Sequence, residues 1–166
     1  MPASKQYFAP ETAVVFKGSG GDVTLTFASA ADQSLSVSDQ HDRGTGSKPG
    51  LYRVFARNQI NASGTVGRQI RYYIVGATDA TDIPGRLGTT DTEIASAADR
   101  TRNLSAPALT VICDSTSTSD GFIASGLVFI STRYISIAVF NDTGVALHAT
   151  ESSHYFAIQP IPAEQQ

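Results

Sequence analysis

The strict alternation of side chains in residues 134–141 constrains the fold more than any other feature of this sequence. Ile135, Ile137 and Val139 share one phase of the alternation, and the residues between and after them, beginning with Ser136, share the other. A period of two places successive side chains on opposite faces of an extended chain, whereas a helix requires a period near 3.6. The segment therefore predicts a β-strand that turns one face toward a core.

Similar strand-length runs recur along the whole chain. They lie at residues 13–16, 23–27, 35–37, 51–58, 69–75, 104–114, 122–132, 145–147 and 154–160. The glycine-rich stretch 17–22 predicts a hairpin between the first two runs, and Gly144 is placed to take a positive φ in the turn after residue 141. Together the runs predict an all-β single domain, a β-sandwich or jelly roll of about eight to ten strands.

One segment, residues 91–103, has a helical pattern. Ile94, Ala97 and Ala98 fall on one face of it, and alanines recur. A pattern this short supports one or two turns, so we expect at most one short helix.

Length and charge narrow the classes of function. The chain has 166 residues, which fits one sandwich domain at residues 11–166 preceded by an arm at residues 1–10. Its formal net charge is −3, and it has no basic patch of the kind that nucleic-acid binding requires. No apolar run approaches the ~20 residues that span a bilayer, and the first ten residues have no signal-peptide core. We therefore expect neither nucleic acid nor a membrane as a partner.

The residues that could carry chemistry are few and scattered. Cys113 shares a strand face with Leu109 and Val111, which favours a small core residue over a catalytic thiol. His148 and His154 flank the last loop and could approach each other, but no third zinc ligand is evident. A hydrolase that uses one of these histidines with an aspartate remains an alternative, although we expect no enzyme, cofactor or small-molecule substrate.

The polar loop at residues 39–50 offers two further hypotheses. Asp39, His41 and Asp42 could bind a metal, although polar loops routinely carry such residues. Its glycines and Lys48 resemble a phosphate loop, but Pro49 follows the lysine and no helix pattern comes next. We assign no metal to this loop.

Residues 134–147, which read YISIAVFNDTGVAL, and residues 154–161, HYFAIQPI, resemble the C-terminal part of small virion proteins of tailed bacteriophages. In those proteins a strand that ends in Asn-Asn/Asp-Thr-Gly-Val-Ala-Leu precedes a final strand that closes with a proline. Residues 67–69, before the strand at 70–75, are similar to the middle of the same proteins. The resemblance covers about half of the chain, and the segments 39–50 and 91–102 have no counterpart in it.

The resemblance implies a head decoration (cement) protein on the capsid surface, made in the host cytoplasm, that binds and stabilises the major capsid shell. Its partners would be the major capsid protein and copies of itself, as a homotrimer or homodimer. Tyr7 and Phe8 in the arm are the first candidates for interface anchors, followed by Tyr155 and Phe156. The arm aromatics could instead pack on the chain's own domain.

A tail fibre, spike or baseplate module that recognises a host glycan or protein is the main alternative. It shares the fold and needs no active site. The chain has neither the repetitive region usual in fibres nor a tryptophan on which a sugar could stack.

Overall fold

The structure, a computed structural model, describes residues 12–46, 48–81, 91–94, 104 and 106–161, with the backbone alone at 92–94. Its strands are β1 (Val14–Phe16), β2 (Leu35–Val37), β3 (His41–Asp42), β4 (Leu51–Asn58), β5 (Gln69–Ala77), β6 (Thr92–Ile94), β7 (Leu109–Ile112), β8 (Phe122–Phe129), β9 (Tyr134–Asp142) and β10 (Tyr155–Pro160). One 3-10 turn covers Glu151–Ser153. No helix within the described ranges is long and apolar enough to cross a membrane.

The strands form two antiparallel sheets packed face to face. Sheet A has the order β1-β10-β4-β8, and sheet B has the order β6-β2-β9-β5-β7, with β3 also paired to β9. If the short strands β3 and β6 are left out and the other eight strands are counted along the chain, the order in sheet A is 1-8-3-6 and the order in sheet B is 2-7-4-5. This alternation between sheets is the order of an eight-stranded jelly roll, so the predicted all-β sandwich is confirmed.

The core lies between the two sheets and is rich in aromatic rings. Tyr72 of sheet B stacks on Phe156 of sheet A with ring centroids 4.8 Å apart, and Phe27 lies 6.4 Å from Tyr72. Phe16 joins the same group at 6.1 Å from Phe156. All four side chains are fully buried, which fixes the register in which the two sheets meet.

The strand with the clearest alternation, β9, is buried on both faces rather than one. It lies at the centre of sheet B between β2 and β5. Its inner face joins the main core, and Ala138 and Phe140 on its outer face join a second buried cluster with Tyr73, Val75 and residues of β2. Leu104 packs against this second cluster. A central strand that is covered on both faces therefore has apolar residues in both phases of its alternation.

Three predicted elements differ from the observed ones. Residues 23–27 alternate in burial as expected, but Val23 makes only an isolated parallel bridge to Phe16, so the predicted hairpin is wrong. The carbonyl of Val15 accepts both the Asp22 and the Val23 N–H groups, so the chain crosses β1 instead of pairing back along it. The predicted return strand at 145–147 is only one bridge, between Ile60 and Leu147.

The helical prediction for residues 91–103 is wrong at its start. Residues 92–94 form β6, which pairs with β2 over three residues. Pairing gives the edge of β2 a hydrogen-bonded neighbour, and this tertiary gain outweighs a weak local helix preference. Residues 95–103, the rest of that prediction, lie outside the described residues.

Candidate interaction surface

The Asn-Asp-Thr-Gly turn that carries the resemblance is a hydrogen-bonded clamp. The buried Asn141 side chain donates from Nδ2 to the carbonyls of Ala30, Ala31 and Val145 at 3.0, 3.1 and 2.9 Å. Its Oδ1 accepts from the N–H and hydroxyl of Thr143 at 3.2 and 2.8 Å. The clamp ties the end of β9 to the segment before β2, so the role that the structure gives this motif is structural.

The next two turn residues extend the clamp at the surface. Asp142 pairs with Arg68 and Arg71, each at 2.8 Å. Gly144 has φ 85°, as predicted, and its N–H donates to Asp32 at 2.8 Å. These bonds explain the residue types of the turn without a ligand.

The structure brings His148 and His154 together, but in a structural arrangement. The N–H of Gln59 donates to Nδ1 of His154 at 3.4 Å, so Nε2 carries the proton and donates to the His148 carbonyl at 2.9 Å. The His154 ring stacks on Phe27 at 5.5 Å and is 1% exposed. Burial lowers the pKa of His154, so it is neutral at pH 7 and serves as a core hydrogen-bonding residue.

The acidic residues of loop 39–50 are engaged by other groups of the fold. Asp42 forms a two-point pair with Arg133 at 2.6 and 2.8 Å, and it caps the Gly44 N–H at 2.7 Å. The hydrogen bond from Arg133, with the cap at Gly44, lowers the pKa of Asp42 to about 2. Asp39 accepts the Asp91 N–H at 2.7 Å. Across the ranges that the structure covers, no group of three His, Cys, Asp or Glu side chains could hold a metal.

Arg43, which the sequence did not single out, organises this loop. Its buried guanidinium donates to the carbonyls of Ile130, Thr132 and Pro49 at 3.3, 2.7 and 2.8 Å. It also donates to the Tyr52 hydroxyl and lies over that ring, 4.9 Å from its centroid. A planar five-donor group is suited to joining several carbonyls, so Arg43 fastens the loop to the end of β8.

Cys113 lies in the core as predicted. It is fully buried, together with Leu109 and Val111 on the same face of the chain. Burial raises the pKa of the Cys113 thiol, so the reactive thiolate is disfavoured at neutral pH.

The four predicted interface anchors have different positions. Tyr7 and Phe8 lie outside the described residues. Tyr155 is partly exposed on the outer face of sheet A, where it is the neighbour of Arg57. Phe156 is 0% exposed and stacks on Tyr72, so its prediction as an anchor is corrected: it is a core residue. Adjacent residues of a strand face opposite sides of the sheet, which explains the different positions of Tyr155 and Phe156.

The outer face of sheet A exposes a group of large apolar side chains. On β8, Ile123, Leu127 and Phe129 are 70%, 62% and 76% exposed, and Leu51 on β4 is 41% exposed. These are four of the six large apolar side chains that are exposed in the described part of the chain. The pairing places Leu51 directly opposite Phe129, so the group is continuous across two strands. We call it, with the other outward residues of sheet A, the apolar face.

Two arginines lie within the apolar face. The pairing puts Arg53 opposite Leu127 and Arg57 opposite Ile123. The remaining outward residues of sheet A are uncharged: Val15, Leu51, Phe55, Ser125, Phe129, Tyr155, Ala157 and Gln159. The face is therefore apolar and cationic, with no acidic side chain of its own.

A groove of about 420 Å³ opens beside this face, where β8 diverges from sheet B. Leu127 and Phe129 line one side, and Ile74 and residues 106–108 line the other. The Phe129 ring lies over Gly50, where a Cβ would collide with it. The groove is lined by uncharged residues, but polar atoms form most of its accessible lining and Ser131 and Thr132 contribute to it, so it is a polar margin of the apolar face.

The sequence contained a signal for this surface in β8. The inward residues of β8 include Ala124 and Gly126, and a Cβ on Gly126 would lie 3.3 Å from Leu109 of the facing sheet. Phe122 and Val128 also face inward, so small residues occupy the inward positions only in the middle of β8, while Ile123, Leu127 and Phe129 face solvent. An alternation whose larger apolar members point away from the core indicates a second surface that needs cover.

The sequence matches no family model and no curated protein. Among solved structures, the comparison finds a likeness to the "Crystal structure of murine APRIL at pH 5.0". That likeness covers 92% of this chain and 100% of the other, with 5% sequence identity and a TM-score of 0.44. The assignment of the fold rests on the strand order of the two sheets.

Proposed function

We propose that this chain is a non-enzymatic structural subunit that acts by binding protein surfaces. The observation that carries this proposal is the apolar face, where Ile123, Leu127 and Phe129 are more than half exposed on one strand. Contiguous apolar surface of this kind on a rigid scaffold is typical of protein-binding sites. Cys113 and His154 are both built into the core and are not placed to react with a substrate.

The setting we propose is the capsid surface of a tailed bacteriophage virion. There the chain would act as a head decoration (cement) protein that binds and stabilises the major capsid shell. The resemblance of residues 134–147 and 154–161 to small virion proteins supports this setting. The acidic chain, with net charge −3, also suits a protein outside the shell, away from packaged DNA.

The N-terminal arm is the element we propose for contact with the capsid. The chain enters sheet A at β1, an edge strand, so residues 1–10 precede an element at the margin of the sandwich. An extended arm of ten residues spans up to about 35 Å, which is enough to reach a neighbouring subunit. Tyr7 and Phe8 would provide its apolar anchors.

Co-sedimentation with expanded capsids that lack this protein tests the proposal. We expect the full chain to sediment with the capsids and to raise their resistance to heat. A variant without residues 1–10 should bind more weakly, and Tyr7→Ala with Phe8→Ala should reproduce that loss, while Gln6→Ala should not. Failure of the full chain to sediment would exclude the capsid setting, and full binding by the truncated chain would exclude the role of the arm.

The groove beside Phe129 is the observation that favours the alternative, a tail fibre, spike or baseplate module. Its volume of about 420 Å³ lies within the range of ligand sites. Binding to immobilised host glycans at micromolar to millimolar strength, abolished by Phe129→Ala and without affinity for capsids, would support this function over the capsid one.

A further inference from the structure

Four strands end the two sheet orders, and β8 differs from the other three in length. The ends are β1 and β8 in sheet A and β6 and β7 in sheet B. Among these described strands β8 has eight residues, whereas β1, β6 and β7 have three, three and four. Because short edge strands offer little to pair with, β8 is the edge at which another strand can best be added.

The sequence and pairing of β8 lack the features that protect a long edge. The strand reads FIASGLVF and contains no proline and no charged residue. Its pairing with β4 is continuous from Phe122 to Phe129, so no β-bulge turns the edge away. An edge of this kind promotes aggregation when it stays empty, so a bound partner is a physical reason for it.

The pairing with β4 defines which backbone groups of β8 remain open. The Ile130 N–H donates to the Gly50 carbonyl at 2.7 Å and continues the ladder between the two strands. Hydrogen-bonded and non-hydrogen-bonded pairs alternate along such a ladder, so the even-numbered residues of β8 direct their N–H and C=O groups to β4. The odd-numbered residues direct theirs outward, where these groups bond to no described residue. We call this outward row the free edge: Ile123, Ser125, Leu127 and Phe129.

We propose that the free edge of β8 binds an extended segment of a protein partner as an additional antiparallel strand. An extended polypeptide backbone presents N–H and C=O groups at the spacing of such an edge, so the ligand is a peptide segment. The inference rests on the proposed role as a protein-binding subunit and specifies one mode of that binding. It is separate from the capsid contact assigned to residues 1–10.

The side chains of the free edge define one face of the segment. Ile123, Leu127 and Phe129 are more than 60% exposed on the outer face of sheet A. Alternate side chains of an added strand would lie on that face beside them, and contact would remove apolar surface of both chains from water. The segment should therefore carry apolar residues at alternate positions.

The remaining side chains of the segment would point toward the groove beside β8. Only Ser131 and Thr132 among its lining residues have polar side-chain atoms, so backbone groups provide the rest of its polar lining. Ile74 and Gly76 of β5 line it beyond Leu109, where the pairing of β5 with β7 stops. Small or hydroxyl side chains can hydrogen-bond to such a lining, so we expect threonine or serine at these positions.

A positive charge lies at one end of the free edge. The Arg57 side chain lies beside Gly121, the residue before β8, where a Cβ would be 2.8 Å from its Nε. Arg57 forms no ion pair with another described residue. The carboxylate of Asp120, next along the chain, accepts from the Ser115 hydroxyl at 2.8 Å. An acidic residue at the C-terminal end of an antiparallel segment would pair with Arg57.

This charge favours a different protein over a second copy of β8. A second β8 in antiparallel pairing would bring its own C-terminal end toward Arg57. That end carries no acidic residue, and the first charged residue after it is Arg133. The partner segment is therefore one with alternating apolar residues and an acidic C-terminal end.

An end-blocked, fluorescein-labelled peptide tests the site by fluorescence anisotropy with the full chain. It alternates valine and threonine over about seven residues, the length of β8, and ends in glutamate. We expect saturable binding, and binding weaker by up to about fivefold when the glutamate stands at the N-terminal end instead. Arg57→Gln should bind the two peptides equally. No binding of either peptide, or no difference between them that depends on Arg57, would overturn the proposed segment.

Two substitutions of one residue separate backbone pairing from side-chain contact. Ser125→Pro removes an N–H from the middle of the free edge and spares the bonds to β4, whereas Ser125→Ala keeps that N–H. We expect the proline variant to bind the peptide about tenfold or more weakly and the alanine variant to bind it as the unchanged chain does. Circular dichroism confirms that both are folded, and equal binding by both would overturn strand addition.

Amide hydrogen exchange followed by NMR tests the same pairing in the unchanged chain. The amides of the free edge should exchange rapidly in the free chain and at least about tenfold more slowly with bound peptide. The amides of Ala124, Gly126 and Val128, which face β4, should be slow in both states. Free-edge amides that stay fast with peptide would overturn the inference. Free-edge amides that are already slow without peptide would also overturn it, and size exclusion would then show whether a second copy covers them.

The edge site and the capsid proposal fail in different ways. A chain that sediments with capsids but does not bind the peptide would overturn the edge site and leave the capsid proposal standing. A chain that binds the peptide through its free edge but does not sediment with capsids would do the reverse.

Discussion

Replacing Asn141 with alanine tests whether the turn after β9 is the clamp that the structure shows. The substitution removes three bonds donated by Nδ2 and two accepted by Oδ1. The three carbonyls keep other donors: Leu147 N–H for Ala30, the Ser34 N–H and hydroxyl for Ala31, and the Thr143 hydroxyl for Val145. The N–H of Thr143 is the group left without this acceptor.

The loss of stability expected for Asn141→Ala follows from these remaining hydrogen-bond partners. A typical bond contributes about 1 kcal/mol net, and a buried group left wholly unpaired costs about 1–3 kcal/mol. Because the three carbonyls keep other hydrogen-bond donors, the loss in the free energy of unfolding is smaller than it would be if all five bonded groups were left unpaired. We expect Asn141→Ala to lower the free energy of unfolding by about 3–4 kcal/mol. At roughly 2–4 °C per kcal/mol for a chain of this size, Tm falls by about 6–16 °C.

Urea unfolding followed by circular dichroism at pH 7 measures the change. Asn61→Ala is the control, because Asn61 is an exposed loop residue whose only hydrogen bond to another described residue is from its backbone N–H to Ala146. Its effect on the free energy of unfolding should stay within about 0.5 kcal/mol. Asn141→Asp keeps the shape and Oδ1 but turns a carboxylate oxygen toward three carbonyls, so it should destabilise at least as much as alanine. A loss below about 1 kcal/mol for Asn141→Ala, or a harmless Asn141→Asp, would refute the clamp.

Three further predictions concern titratable groups. Burial lowers the pKa of His154, so below pH 6.5 the unfolded chain binds a proton that the folded chain excludes, and stability decreases as pH falls through this range. The difference in the free energy of unfolding between His154→Gln and the unchanged chain should therefore shrink from pH 7.5 to 5.5. A difference that stays constant would contradict the buried neutral ring. The pKa of Asp42 is lowered to about 2 by Arg133, so the stability from this pair is present above pH 4 and lost as pH falls toward 2. Asp42→Asn should change the free energy of unfolding little at pH 7, since both side chains of the pair are 42% exposed. Between pH 4 and 2 the variant should lose less stability than the unchanged chain. The buried Cys113 thiol should resist a disulfide reagent in the folded chain and react at once in denaturant, and fast labelling of the folded chain would show that the β7 edge opens.

The fold was predictable because its strongest signals are local. The runs at 51–58 and 154–160 alternate cleanly, and the structure places Tyr52 and Ile158 in the core as their phase required. The predictions of secondary structure failed where contacts with distant parts of the chain determine the local structure. Residues 23–27 have the right alternation but make only one bridge to β1, which the chain crosses instead of pairing along it, and residues 92–94 become a strand because β2 offers an open edge.

The apolar face was not predictable from alternation alone. Both phases of β8 contain apolar residues, and the phase that faces the core depends on how closely β7 approaches. The two sheets are close at Gly126, where a Cβ would lie 3.3 Å from the side chain of Leu109 in the opposite sheet and would require that side chain to shift slightly. Arg43 was missed for a similar reason, since its carbonyl partners come from segments 6 to 89 residues away in sequence.

The position of the Asn-Asp-Thr-Gly turn in the structure affects where specificity should be sought. Asn141 and Thr143 are buried and hydrogen-bond to atoms of this chain, so their residue types are explained by the turn and its clamp. A resemblance carried by such residues bears on how the sandwich is built, and different partners could be bound by the same scaffold. The apolar face and the arm are the elements that we propose for partner binding. Substitutions at Leu127 or Phe129 should therefore alter association and spare folding, whereas substitutions at Asn141 should do the opposite.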